Sequence, residues 1–272
     1  MHSTREESGQ QGLLWERARR CMPHCYDERF HKKGDSALPQ TRTAKEKITL
    51  NVSDGSAMGC YVARPDDSSS HPGIIVLQEA FGVNSHIRNV AERFAAQGYV
   101  AIAPELFHRT APGLEGSYSD FPGVRPHMEA MTVPGSEADL RAAFEWLQSQ
   151  KNVQHDRICS TGYCMGGRIS FLANSILPLH AAASFYGGGI PSLLDRAPHL
   201  HAPMLFFWGG LDKNIPPEQR NAVIEAVRKS GKTYANVEFS DAGHGFNCDE
   251  RASYQPRAAR QSWAMLLEFL QS

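Results

Sequence analysis

Residues 157–168 read Arg-Ile-Cys-Ser-Thr-Gly-Tyr-Cys-Met-Gly-Gly-Arg. Arg157 to Thr161 has the apolar, β-branched character of a buried strand, and Gly167 to Ala173 continues as a helix. Between them, Gly162-Tyr163-Cys164-Met165-Gly166 has the spacing of a nucleophile elbow, with cysteine where most such turns carry serine. A sharp strand-to-helix turn crowds the backbone, and glycine accepts conformations that a Cβ would forbid. The turn would hold the Cys164 thiol clear of the sheet at a helix N-terminus, where the helix dipole favours thiolate.

Two partners for such a thiol follow in chain order. Pro203 to Gly210 is an apolar strand ending in glycines, with Asp212 just beyond it. Ala235 to Ser240 is a further strand, and Gly243-His244-Gly245-Phe246 follows. Open α/β sheets place their active sites beyond the carboxyl ends of strands. Nucleophile, acid and histidine in that order match a Cys164–Asp212–His244 set. The chain has 12 histidines, and His244 is set apart from the others by its order, its strand-end position and its flanking glycines.

Four segments carry a closer likeness: Gln78-Glu79-Ala80-Phe81-Gly82-Val83-Asn84, Gly162 to Gly167, Trp208-Gly209-Gly210-Leu211-Asp212, and Gly243-His244-Gly245-Phe246. Together they resemble the dienelactone hydrolase (carboxymethylenebutenolidase) family, from about residue 42 to the C-terminus. The resemblance implies an α/β-hydrolase fold and an enzyme that cleaves a lactone or activated carboxylic ester through a cysteine thioester. It makes Cys164 the nucleophile, His244 the base, Asp212 the residue that orients the imidazole, and the backbone N–H groups of Ala80 and Met165 the oxyanion hole. It assigns Glu79 to gating: the carboxylate holds the resting thiol until substrate displaces it. Family members hold a substrate carboxylate with two arginines. Arg109 stands at the place of one, whereas the place of the other, four residues after His244, is Cys248, with Arg251 as a substitute three residues on. Tyr118 lies in a loop that would line the pocket. No cofactor and no metal are implied. A thioesterase or other carboxylesterase on the same scaffold, or a non-catalytic ligand-binding or sensor protein, are the competing readings.

Alternating strands and helices predict a mainly parallel central sheet with helices on both faces. Strands are expected at Lys45 to Val52, Ala57 to Ala63, Gly73 to Leu77 and Tyr99 to Ala103, and helices near Ile87 to Gly98, Asp139 to Gln148 and Pro256 to Leu270. Pro104 to Pro134, rich in Pro and Gly, reads as loop around the pocket. Residues 42–272 are expected to form a single domain, and residues 1–41 a polar, poorly ordered extension. Within that extension Cys21, His24, Cys25 and His31 match the spacing of no common zinc module.

Net charge is −1 with 21% charged residues, and no basic face suggests a nucleic acid partner. No apolar run reaches the roughly 18 residues of a membrane span. Six scattered cysteines form no disulfide framework, which predicts a reducing, cytoplasmic setting. A monomer acting on a small-molecule lactone or ester is the expected form.

Overall fold

The computed structural model describes residues 42–272. The extension at 1–41 and its four potential metal ligands lie outside them. Eight strands form one sheet: β1 (Thr43–Asn51), β2 (Ala57–Pro65), β3 (His71–Leu77), β4 (Val100–Pro104), β5 (Val153–Tyr163), β6 (Ala182–Phe185), β7 (Met204–Gly209) and β8 (Tyr234–Phe239). Their order is β1-β2-β4-β3-β5-β6-β7-β8. The pairs β1–β2 and β2–β4 are antiparallel, and every pair from β4–β3 to β7–β8 is parallel.

Residue character accounts for the division. Strands β4, β6 and β7 are buried along their whole length, as is β3 from Gly73 onward. Strands covered on both faces need such continuous apolar runs. At the sheet edge β1 carries Glu46 and Lys47 outward and is nowhere fully buried.

Among the described residues six helices flank the sheet: α1 (Ser85–Ala96), α2 (Phe121–Glu129), α3 (Val133–Ser149), α4 (Met165–Ile176), α5 (Pro217–Lys229) and α6 (Pro256–Gln271), with a 3-10 segment at Ile190–His199. Phe94 of α1 meets Trp263 of α6 with ring centroids 4.7 Å apart, joining these two helices into one layer. Helix α4 packs against α3 and the 3-10 segment, which in turn contacts α5. Trp208, Phe171, Phe185, Phe206 and Phe207 are fully buried between these elements.

The stretch 104–134 departs from the loop expected of its composition, because α2 forms within it. The Asp120 side chain accepts a hydrogen bond from the Gly123 N–H, and Pro122 occupies the first turn, where its missing N–H removes nothing. Helix α3 likewise begins earlier than its apolar periodicity suggests, because Thr132 caps it through the Gly135 N–H and Pro134 sits in its first turn.

Strand β3 pairs with β4 on one side and β5 on the other, so the chain reverses its direction of progress across the sheet there. Such a switch point opens a crevice beyond the carboxyl ends of the strands. Glu79 follows β3, Cys164 follows β5, Asp212 follows β7 and His244 follows β8. All four lie on that edge.

Candidate active site

Cys164 has φ 54° and ψ −118°, a conformation that non-glycine residues rarely hold. Strain of this kind costs about 1–3 kcal/mol and persists only where the surroundings enforce it. Here they do. A Cβ on Gly162 would overlap the carbonyl of Gly166, and one on Gly166 would overlap the carbonyl oxygens of Leu77 and Gln78. The Cys164 N–H donates to Phe185 O at 3.0 Å, and its own carbonyl accepts from the Gly167 N–H at 3.0 Å. Helix α4 then starts at Met165, so the first N–H groups of its turn have no intrahelical acceptor.

Cys164 Sγ lies 3.1 Å from His244 Nε2, and His244 Nδ1 lies 2.7 Å from Asp212 Oδ2. A carboxylate only accepts, so Nδ1–H donates to Asp212 and Nε2 faces the sulfur. The second Asp212 oxygen accepts from the Asn214 N–H at 2.8 Å, which fixes the carboxylate. Tyr186 packs edge-on against the imidazole at 5.2 Å. Burial opposes a charge on His244, but Asp212 and the Cys164 sulfur outweigh it and raise its pKa to about 10. Among the described cysteines, Cys60, Cys159 and Cys248 are buried and only Cys164 is partly open. Burial pushes the Cys159 thiol up to about 12, and burial with the Glu79 carboxylate does the same to Cys248.

A cavity of about 770 Å³ opens over the sulfur. Ala80 and Met165 line it beside Cys164 and His244, as do Tyr118 and Arg251. The arrangement has parts suited to attack on a carbonyl: a sulfur, an imidazole beside it and a carboxylate that orients the imidazole, with Ala80 and Met165 at the cavity wall.

Two sequence expectations take a different form in three dimensions. Glu79 is fully buried and makes no hydrogen bond to Cys164. Its Oε2 accepts from the Tyr118 hydroxyl at 3.0 Å and its Oε1 from Arg251 Nη1 at 3.1 Å. Asn84, the N-cap of α1, donates to the same Tyr118 hydroxyl at 3.1 Å. Burial and the nearby Glu79 charge raise the Tyr118 pKa, so Tyr118 stays a donor.

Arg109, expected to hold substrate, does not line the cavity over Cys164. Its guanidinium is divided between Asp139, through bonds of 2.8 and 2.9 Å, and Asp54 at 2.7 Å. Asp139 is buried and also meets His108 Nε2 at 3.0 Å, so Arg109 balances a buried charge. The carboxylate that claims it lies 30 residues away on α3, which motif matching does not weigh.

Arg168 was passed over in the sequence and lines the cavity. Its spacing from Met165 is the available signal, because residues three apart share a helix face. Glu79, His86 and Cys248 are the one group of possible metal ligands among the described residues, their ligand atoms within 4.8 Å of one another. Tyr118 and Arg251 already occupy the Glu79 carboxylate.

Comparison with known proteins bears on this geometry. The family model described as "Dienelactone hydrolase family" matches residues 58–272. A protein of Escherichia coli (strain K12), provisionally named carboxymethylenebutenolidase, is 38% identical over 236 residues, covering 82% of this chain and 85% of its own. The carboxymethylenebutenolidase of Pseudomonas putida is 28% identical over 228 residues, covering 83% and 95%. A crystal structure from Klebsiella pneumoniae, of a protein provisionally named dienelactone hydrolase, superposes with a TM-score of 0.78 at 33% identity, covering 85% of this chain and 99% of that one.

Proposed function

Because this chain belongs to the dienelactone hydrolase family and is a hydrolase, we propose that it opens enol lactones and activated carboxylic esters through a thioester on Cys164. The observation that carries this reading is the unbroken contact series from Cys164 Sγ to His244 to Asp212. In the first step the thiolate attacks the carbonyl carbon, and the Met165 and Ala80 N–H groups stabilise the oxyanion. Collapse breaks the bond to the leaving oxygen and forms the thioester. Imidazolium His244 gives its proton to the departing oxygen, which leaves the imidazole neutral. Water, deprotonated by neutral His244, then attacks the thioester and releases the acid and the thiol.

Sulfur suits good leaving groups, since a thiolate is itself readily expelled from the tetrahedral species. An enolate stabilised by conjugation leaves easily and an amine does not, so lactones and activated esters are favoured over peptides. Glu79 gates the thiol in this reading: while Tyr118 and Arg251 hold its carboxylate, Cys164 is free to engage His244.

The test is steady-state hydrolysis of a dienelactone and of p-nitrophenyl acetate by wild type, Cys164→Ala and Cys164→Ser. Loss of at least about 10³-fold in kcat/KM for Cys164→Ala on both substrates is expected. Comparable rates in wild type and Cys164→Ala would remove Cys164 as the nucleophile.

A further inference from the structure

The cavity over Cys164 holds a cation, Arg168, that no carboxylate of the described residues pairs with. Arg168 stands on α4 three residues after Met165 and lines the cavity together with Cys164 and Met165. The opposite wall makes room for it. Gly189 has φ 82°, and a Cβ there would come within 3.2 Å of Arg168 Cδ and 3.4 Å of its Nη1. The side chain is thus laid along the Gly188–Gly189 turn and held at the cavity wall.

The other charges facing the cavity are matched. Arg251 is bonded to Glu79, and Arg125 to Glu129 at 2.6 Å. Arg168 is half-buried yet makes no ion pair and no side-chain hydrogen bond with the described residues. Only the Cys164 sulfur acts on it favourably, against the loss of solvent. A guanidinium kept partly out of water without a counter-charge is destabilising unless something else supplies the anion. Its planar fork fits a carboxylate with two parallel hydrogen bonds.

From the Arg168 guanidinium, laid on Gly189 in the cavity that exposes Cys164 and without a carboxylate partner among the described residues, we infer that Arg168 is the residue that anchors the substrate's carboxylate. The inference rests on the hydrolase reading above and adds the residue that recognises the substrate's charge, a different arginine from the two positions the family resemblance points to. The Arg251–Glu79 pair then stays intact while the substrate is bound, and Arg168 orients the lactone ring with its carbonyl over the sulfur.

The experiment compares wild type, Arg168→Gln and Arg168→Lys on a dienelactone bearing a free carboxylate and on its neutral methyl ester. Arg168→Gln should raise KM for the carboxylate substrate by about 10- to 100-fold more than for the ester, and Arg168→Lys should recover part of that difference. Equal losses on both substrates, or no loss on either, would overturn the assignment. A second readout does not need turnover. 2-Furoate, a ring carboxylate, should protect Cys164 of wild type against iodoacetamide, 2-furamide should protect much less, and Arg168→Gln should lose the furoate effect. Furoate protection that persists in Arg168→Gln would also overturn it. Cys164-dependent ester cleavage without any Arg168 charge effect would reject the anchor and leave the hydrolase reading standing. Absence of Cys164-dependent cleavage would reject that reading instead, and the furoate result would then decide the anchor by itself.

Discussion

Glu79 Oε1 accepts a hydrogen bond from Arg251 Nη1 at 3.1 Å, and the pair joins the end of β3 to a loop 172 residues later. The carboxylate is fully buried, while the arginine side chain is 20% exposed. The Arg251 guanidinium also lies 5.5 Å from the Tyr118 ring centre and 5.8 Å from that of Phe81. This pair ties the loop after His244 to the wall of the cavity.

Removing one partner leaves the other charge buried and unmatched. Arg251→Met should lower the free energy of unfolding by about 2–4 kcal/mol, less than for a fully buried pair because Arg251 reaches solvent. Combining it with Glu79→Gln should restore more than half of the loss, read from urea denaturation of all four proteins. Losses that simply add would mean the two side chains do not depend on each other.

Arg109 gives the contrasting case. Arg109→Ala strips a cation from buried Asp139, so unfolding should become easier by about 1–3 kcal/mol. Because Arg109 lies outside the cavity over Cys164, KM for a carboxylate-bearing lactone should move by no more than roughly twofold, against the larger rise expected for Arg168→Gln. A tenfold rise in KM at unchanged stability would return Arg109 to the substrate.

His244 should make stability depend on pH. Its pKa of about 10 in the folded protein lies above the ordinary 6.5, so the native state holds this proton more tightly than the unfolded chain. The stabilisation is fully present below pH 6.5 and is lost as pH rises through 10. The difference in urea midpoint between wild type and His244→Gln, followed from pH 6 to 10.5, should shrink across that window. Parallel curves would show that His244 has an ordinary pKa.

The elbow glycines should resist substitution by steric overlap alone. A Cβ at Gly166 would overlap the Leu77 and Gln78 carbonyl oxygens, whereas one at Gly243 meets nothing within 4 Å. Gly166→Ala should cost about 3 kcal/mol of stability, and Gly243→Ala should stay within roughly 0.5 kcal/mol of wild type, by chemical denaturation. Similar values for the two would mean that the elbow relaxes at little cost.

The legible parts of this molecule are those set by neighbours along the chain. The elbow could be read because its glycines and Cys164 lie within five residues and the turn's crowding acts on those residues directly. Strands β3 and β7 could be read from continuous apolar runs, and α1 from an apolar face repeated at helical spacing. Helix α2 was hidden because Pro122, Gly123 and Pro126 resemble loop, although Asp120 and Pro122 are themselves start signals for a helix.

By itself the sequence determined the order of sheet and helix, the strained turn under Cys164, and which aspartate and histidine follow which strand. These depend on local backbone sterics and on the period of apolar residues. The tertiary structure decided which charges meet. It gave Arg109 to Asp54 and Asp139, gave Arg251 to Glu79, and left Arg168 facing the cavity with no carboxylate partner among the described residues. Ion pairing depends on distances between side chains that are far apart along the chain, and burial then sets the strength of each pair. Only folding brings either into being.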